Sequence, residues 1–184
     1  MDRHARRRLS ISADERLDGS DVFEPNILGD PPTPDARLPV DYNIEGSDLG
    51  YRWNARTNKK ALFPFGFGLA YTTFAASGLE TDGASASFTL TNTGSRAGAT
   101  VGQLYLLSRN GKIKQRLVAF QRVELAPGES RKVSVRLDPR LLADWNGDGW
   151  TLPEGRYAFA LGENAEQLGP AVEVQIKPRK WRER

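Results

Sequence analysis

The sequence predicts an all-β protein, a two-layer antiparallel β-sandwich that follows an extended, irregular N-terminal segment. Three observations favour this fold class. Short runs of alternating apolar and polar residues recur from Ala84 onward, turn-forming pairs separate these runs, and no helix of three turns can be found. Hydrophobic residues make up 39% of the 184 residues, which suffices for one core.

The first part of the chain has no sandwich pattern. Residues 1–36 show neither a helical nor an alternating period and contain four prolines. We interpret them as a flexible lead without a fold of its own.

The next segment, residues 37–75, is dense in aromatic residues, with eight between Tyr42 and Phe74. An exposed ring forgoes roughly 1.5–3 kcal/mol of burial free energy, so we expect this segment to lie against another surface. We call residues 37–75 the docking ribbon. Interdomain packing is assigned to its rings, which are Tyr42, Tyr51, Trp53, Phe63, Phe65, Phe67, Tyr71 and Phe74.

The remainder of the chain reads as short strands. Half-buried strands are predicted at residues 84–91, 132–137, 157–161 and 172–176, where apolar and polar side chains alternate. Residues 101–107 and 117–125 are apolar on both faces in places, which favours central strands.

Turn signals separate these strands. Asn110–Gly111 suits a type I′ hairpin, Pro127–Gly128 suits a type II turn, and residues 153–155 can close another. Roughly seven short strands with such turns are typical of an immunoglobulin-like or fibronectin type III-like sandwich. We assign residues 76–178 to this domain and residues 179–184 to a basic tail.

Charge and composition exclude several classes of function. The pI near 9.3 arises from the two basic ends, and the chain between them is slightly acidic. We therefore expect solvated tails and no nucleic-acid partner, whereas binding through the tails would show a steep salt dependence. Without cysteine and with His4 as the sole histidine, the chain cannot form disulfides or a multi-histidine metal site, and we expect no cofactor.

Membrane insertion and export are not indicated by the sequence either. No apolar run approaches the roughly 20 residues that span a bilayer, so we expect no membrane partner. No apolar segment of the secretion-signal type follows Arg6–Arg8.

Two motifs in the docking ribbon carry a family resemblance. Glu45-Gly-Ser-Asp-Leu-Gly-Tyr-Arg52 and Leu62-Phe-Pro-Phe-Gly-Phe-Gly-Leu-Ala-Tyr-Thr72 resemble the end of the α/β sandwich domain of family 3 glycoside hydrolases, the β-glucosidase and β-xylosidase type. Leu49, Phe67 and Ala70 replace the Val, His and Ser of the family pattern.

The later part of the chain carries the same resemblance. Residues 92–98, 103–105 and 125–129 are similar to the fibronectin type III-like domain that ends these enzymes. The resemblance extends from about Arg37 to Pro178 and includes both regions in the family's order.

The resemblance implies a non-catalytic C-terminal module of an enzyme that hydrolyses β-glucosides or oligosaccharides. In the family, the nucleophilic Asp and the acid Glu lie upstream, and no position in this chain matches either motif. We therefore expect the chain to be inactive alone and to stabilise upstream catalytic domains, carried by the same enzyme or by a separate chain. Relatives are commonly periplasmic or secreted.

Three carboxylates beside the aromatic residues are candidate acids, namely Asp41, Glu45 and Asp48. Aromatic surroundings can raise a carboxyl pKa, as general acid catalysis requires. However, the chain offers no barrel or second layer to build a sugar-sized cleft around them. We interpret them as structural, in a turn or in an ion pair with Arg52.

Residues 144–149 match the first half of a calcium-binding loop, which makes Asp144, Asn146 and Asp148 candidate ligands. The match then fails, because the bidentate carboxylate belongs at Gly155 while Glu154 stands one position early. A tight turn held by Asp and Asn side chains explains the same residues.

Exposed aromatic residues raise an alternative function, a freestanding carbohydrate- or protein-binding module. Tyr51, Trp53, Trp145 and Trp150 can stack on sugar rings or pack between domains. We favour interdomain packing and keep Trp145 and Trp150 as candidates for sugar stacking, with an oligo- or polysaccharide as the partner.

Overall fold

A computed structural model describes residues 46–182. The chain divides into two compact units between Pro64 and Phe65. The described part of the first unit contains the helix α1, Tyr51–Thr57, which begins after Gly50 and ends at the left-handed Asn58. Helix α1 was not predicted, because seven residues are too few to show a period and no side chain caps its start.

The described part of the second unit contains ten strands. They are β1 Phe74–Thr81, β2 Ser85–Asn92, β3 Gly98–Arg109, β4 Lys112–Leu125, β5 Ser130–Arg136, β6 Asp144–Trp145, β7 Trp150–Leu152, β8 Gly155–Gly162, β9 Val172–Ile176 and β10 Arg179–Trp181. One short 3-10 turn, Pro139–Leu141, lies between β5 and β6.

The strands form two main antiparallel sheets and a small third one. One sheet has the order β1-β2-β5, the other has the order β4-β3-β8-β9, and the small sheet has the order β10-β7-β6. The prediction of an all-β, fibronectin type III-like sandwich is confirmed.

Apolar side chains from both main sheets form the core. Phe88 and Leu90 of β2, Leu104 and Leu106 of β3, and Phe159 of β8 are all almost completely buried in one cluster. Burial of each such side chain contributes roughly 1.5–3 kcal/mol, so this cluster is the main source of the sandwich's stability. The alternation predicted for residues 84–91 is the pattern observed in β2.

Two of the predicted turns are confirmed by their backbone angles. Asn110 and Gly111 have φ values of 51° and 75° in the β3–β4 hairpin. Gly128 has a φ value of 73° between β4 and β5, as a type II turn requires. The Asn110 side chain also accepts a 2.8 Å hydrogen bond from the amide of Arg156, which ties the hairpin to β8.

The prediction that residues 117–125 form a central strand is wrong. Strand β4 lies at an edge, whereas β3 is central as predicted. The register shifts at Val118, so both Val118 and Ala119 face the core while Phe120 turns outward. The β-bulge explains why residues 117–120 are all apolar in an edge strand: two successive residues face the same side of the sheet.

Four strands, β1, β6, β7 and β10, were not predicted. Strand β1 is largely exposed and shows no alternation of apolar and polar residues, and β6, β7 and β10 have only two or three residues each. Strand β10 includes residues that we assigned to the basic tail. It forms because its backbone pairs with β7 and because Trp181 packs against the core.

Candidate interdomain docking surface

The rings assigned to interdomain packing fall in different settings. Tyr42 lies outside the described residues. In the first unit, Tyr51 and Trp53 are half-buried on α1 and Phe63 is exposed.

In the second unit, the ring-bearing residues precede and begin β1. Phe65, Phe67 and Tyr71 are exposed, whereas Phe74 is half-buried and packs against the core. Within the second unit, the ribbon residues that precede β1 are 65–73, and hydrogen bonds to the sandwich hold them at both ends.

Gln103 of β3 anchors the beginning of this segment. Its Nε2 donates to the carbonyl oxygens of Gly66 at 3.1 Å and Glu163 at 2.8 Å. Its Oε1 accepts a 2.7 Å hydrogen bond from the hydroxyl of Tyr105. Because Gln103 is buried and both protons of its amide are used, the side chain is fixed in one orientation.

Gly66 fits this anchor because it lacks a side chain. Its φ value is +85°, and a Cβ atom at this position would lie 2.1 Å from Oε1 of Gln103. Any other residue would meet both backbone strain and a clash with a side chain that three hydrogen bonds hold in place.

The loop between β8 and β9 completes the first anchor. The amide of Ala165 donates to the carbonyl of Phe65 at 2.8 Å. The loop itself is shaped by Asn164, whose Oδ1 accepts from the amides of Glu166 and Gln167, both at 2.9 Å. Phe65 and Gly66 are thus bonded to two separate elements of the sandwich.

Asn92 at the end of β2 anchors the other end of the segment. Its Oδ1 accepts from the Thr72 hydroxyl at 2.9 Å and from the Gly94 amide at 3.0 Å. Its Nδ2 donates to the carbonyls of Arg96 at 2.7 Å and Leu125 at 3.1 Å. This fully buried amide therefore uses all four of its hydrogen-bonding positions.

Backbone pairing strengthens the second anchor, because the amide of Thr93 donates to the carbonyl of Thr73 at 2.9 Å. Between the two anchors, however, the side chains face outward. Phe67, Leu69 and Tyr71 are 46%, 92% and 94% exposed. Residues 65–73 thus present apolar side chains on a backbone that is fixed at both ends.

Comparisons with known proteins bear on this arrangement. A family model described as "Fibronectin type III-like domain" matches residues 100–165. The chain is 35% identical over 140 residues to probable beta-glucosidase K of Emericella nidulans, covering 72% of this chain and 17% of that protein. It is 34% identical over 144 residues to a beta-glucosidase of Rhizobium radiobacter, covering 72% and 18%.

Solved structures give the same result. The fold matches beta-glucosidase 3B from Thermotoga neapolitana in complex with glucose, with a TM-score of 0.68, 32% identity, and coverage of 76% of this chain and 21% of that one. It matches a Bifidobacterium adolescentis GH3 beta-glucosidase with a TM-score of 0.69, 30% identity, and coverage of 79% and 23%.

The chain corresponds to the C-terminal, fibronectin type III-like region of family 3 glycoside hydrolases. It spans between 17% and 21% of the length of the curated relatives it matches.

Of the three carboxylates considered as candidate acids, only Asp48 lies within the described residues. Asp41 and Glu45 lie outside the described residues. Asp48 forms a 3.0 Å ion pair with Arg56, whereas Arg52, the partner in one of the two structural roles considered for it, donates to the carbonyl of Ser47. The register of α1 explains the change of partner, because Arg56 lies one helical turn beyond Arg52 on the same face.

The three calcium candidates each have a protein partner. Asp144 binds Arg109 at 2.6 Å and Lys114 at 2.9 Å, and Asp148 binds Arg182 at 2.6 Å. Asn146 accepts from the amides of Asp148 at 3.1 Å and Gly149 at 3.0 Å, as the tight turn requires. Within residues 46–182, no group of three or more His, Cys, Asp or Glu side chains is placed to hold a metal ion.

The ion pairs of Asp144 affect its titration. Partial burial works against ionisation, but the hydrogen bonds and positive charges of Arg109 and Lys114 outweigh it and hold the pKa of Asp144 below its usual value. Asp144 therefore serves the packing of β6 against the β3–β4 hairpin.

Three tryptophans form a row across the small sheet, because Trp150 is the cross-strand partner of both Trp145 and Trp181. Trp150 meets Trp145 edge to face at 5.3 Å and stacks on Trp181 at 6.4 Å. Trp150 and Trp181 pack against the core, whereas Trp145 is 53% exposed. Of the two residues proposed for sugar stacking, Trp145 has the more accessible ring.

The anchor residues Gln103 and Asn92 were not predicted. Asn92 continues the inward-facing series of Phe88 and Leu90 in β2, and Gln103 stands between Gly102 and Leu104 in β3. A buried polar side chain in such a position signals a specific hydrogen-bonding role. The described part of the chain has no helix that is long and apolar enough to cross a membrane.

Proposed function

We propose that this chain is the non-catalytic C-terminal module of an enzyme that hydrolyses β-glucosides or related oligosaccharides. Its role is to stabilise the catalytic domains by docking against them through the docking ribbon. The observation that supports this role is the exposure of Phe67, Leu69 and Tyr71 on a backbone that is anchored at both ends.

The anchors matter because they separate this segment from an ordinary surface loop. A loop with exposed rings can relieve the exposure by folding back, whereas residues 65–73 are held by the buried amides of Gln103 and Asn92. A fixed cluster of exposed apolar side chains is typical of a surface that another protein or domain covers.

The proposed partner follows from the relatives. The region that the matched beta-glucosidases share with this chain is 17% to 21% of their own length. Glycoside hydrolysis by the retaining mechanism needs two carboxyl groups roughly 5–5.5 Å apart. Asp48, the candidate acid that the structure describes, forms an ion pair with Arg56. We assign the catalytic groups to the part of the enzyme that corresponds to the upstream domains of its relatives.

Two assays with an aryl-β-glucoside test this proposal. The purified chain is expected to show no turnover, and clear turnover would contradict the proposal. In the second assay, this chain replaces the matching region of the Rhizobium radiobacter beta-glucosidase. The fusion is expected to retain activity at temperatures that inactivate the same enzyme without its C-terminal region, and equal heat sensitivity would contradict the docking role.

A second candidate function is supported by the exposed ring of Trp145, whose orientation is fixed by Trp150. A rigid, half-exposed indole can stack on the apolar face of a sugar ring. Affinity electrophoresis against cellulose, xylan and β-glucan tests this function with the Trp145→Ala variant. Phe120→Ala, which removes an exposed ring elsewhere, is the matched control.

A further inference from the structure

The outer face of strands β3 and β4 carries a second set of exposed apolar side chains. Gln103 points outward to hold Gly66, and Val101 lies two residues earlier on the same face of β3. Phe120 of β4 is the direct cross-strand partner of Gln103, so its ring lies on that face too. Leu104 and Leu106, on the opposite face, fill the core.

These side chains are unusually accessible for a paired strand. Phe120 is 66% exposed and Val101 is 40% exposed. Both belong to the sheet that holds residues 65–73, so exposed apolar groups continue from the ribbon onto the sheet, with Gln103 between them. The β-bulge at Val118 accompanies this arrangement, because Val118 and Ala119 both face the core and Phe120 then turns outward.

We propose that Val101 and Phe120 form, together with Leu69 and Tyr71, a single docking surface for the catalytic part of the same enzyme. This inference rests on the proposed function and extends its contact area from the ribbon to the sheet. The occupant is inferred from two observations. The surface is continuous with the ribbon, and about four-fifths of each related enzyme lies outside the region that this chain matches.

The chain offers a direct test because its sequence contains no cysteine. Four single-cysteine variants of the full chain are needed, Tyr71→Cys, Val101→Cys, Phe120→Cys and Ile113→Cys. Ile113 is the matched control, because it is 59% exposed near the β3–β4 turn and lies outside the proposed surface. Each variant is treated with a maleimide, both alone and fused behind the catalytic region of the Rhizobium radiobacter beta-glucosidase.

Peptide mass spectrometry then gives the labelling rate at each site. In the isolated chain, all four cysteines are expected to react. In the active fusion, positions 71, 101 and 120 are expected to react at least about tenfold more slowly, because a docked surface excludes solvent. Position 113 is expected to keep its rate.

The outcomes separate this inference from the proposed function. Protection at position 71 without protection at positions 101 and 120 would overturn the extended surface and leave ribbon docking intact. An active fusion in which no position is protected would overturn both, as would a fusion without glucosidase activity. Phe120→Cys removes a ring and could itself weaken docking. Val101→Cys removes much less side chain, so protection at position 101 still tests the extended surface.

Discussion

In strand β2 the ring of Phe88 is fully buried, whereas the ring of Tyr71, shortly before it in the chain, is 94% exposed. Both residues belong to the second unit, but different forces hold the segments that carry them. The sandwich is stabilised by apolar contacts between its sheets, and residues 65–73 are held by the amides of Gln103 and Asn92. Leu69 and Tyr71 therefore stay exposed on a backbone that is fixed at both ends.

The largest expected effect tests this comparison directly. Phe88→Ala removes a ring from the centre of the core and should lower the free energy of unfolding by about 3–5 kcal/mol. Tyr71→Ala removes a ring that contributes little to the isolated chain and should change it by less than about 0.5 kcal/mol. Urea unfolding of both variants measures the difference, and similar losses would contradict the division between core and ribbon.

The next effect concerns the first anchor. Gln103→Glu keeps the shape of the side chain but places a carboxylate against the carbonyl oxygens of Gly66 and Glu163. At neutral pH the variant should lose about 3 kcal/mol of stability, because a buried charge faces two acceptors without a donor between them.

The pH dependence of this loss identifies its cause. Burial and the two carbonyls raise the folded-state pKa of a glutamate at this position, so the loss should be small below its unfolded pKa of about 4.3 and grow as the pH rises. Urea unfolding at several pH values, with the wild-type chain as the reference, measures it. A loss that does not change with pH would indicate altered packing instead of charge.

These two parts also differ in how far the sequence predicts them. The alternation in β2, β5 and β9 predicts which face is buried, since the period of two follows directly from strand geometry. The ribbon has no such period, and its anchors depend on contacts between residues far apart in sequence, such as Gly66 with Gln103. The density of rings predicts that the ribbon docks, and the structure shows where residues 65–73 are fixed.

The missed features have the same cause. The bulge at Val118 and the row formed by Trp145, Trp150 and Trp181 are determined by register between strands, which single-sequence patterns do not contain. The helix α1 and the two-residue strand β6 are too short to show any period. Local chemistry did predict the Asn110–Gly111 turn, because two successive positive φ values restrict the residue types that fit.

A smaller effect is expected at Asp144, whose ion pairs with Arg109 and Lys114 lie in the sandwich unit. Its folded-state pKa is lowered, so the stability it contributes is present above its ordinary value of 3.8 and is lost as the pH falls through the folded-state pKa. The side chain is 40% exposed, so solvent screening limits this contribution to less than about 1 kcal/mol.

The Asp144→Asn variant measures this contribution. It should lose part of that stability at neutral pH and should show a smaller change in stability between pH 6 and pH 2 than the wild-type chain. Thermal unfolding across this range provides the measurement. An unchanged pH profile would show that Arg109 and Lys114 do not act on the carboxylate in solution.

The smallest effect expected is that of calcium on the turn at residues 144–149. A site with a Kd near 1 mM would add about 1.4 kcal/mol at about 10 mM calcium and raise the Tm by several degrees. Binding here would require calcium to displace Arg109 and Lys114 from Asp144, Arg182 from Asp148, and two amides from Asn146. We therefore expect no shift of the Tm in calcium relative to an equal ionic strength of sodium chloride, and a shift that Asp148→Asn abolishes would establish a site.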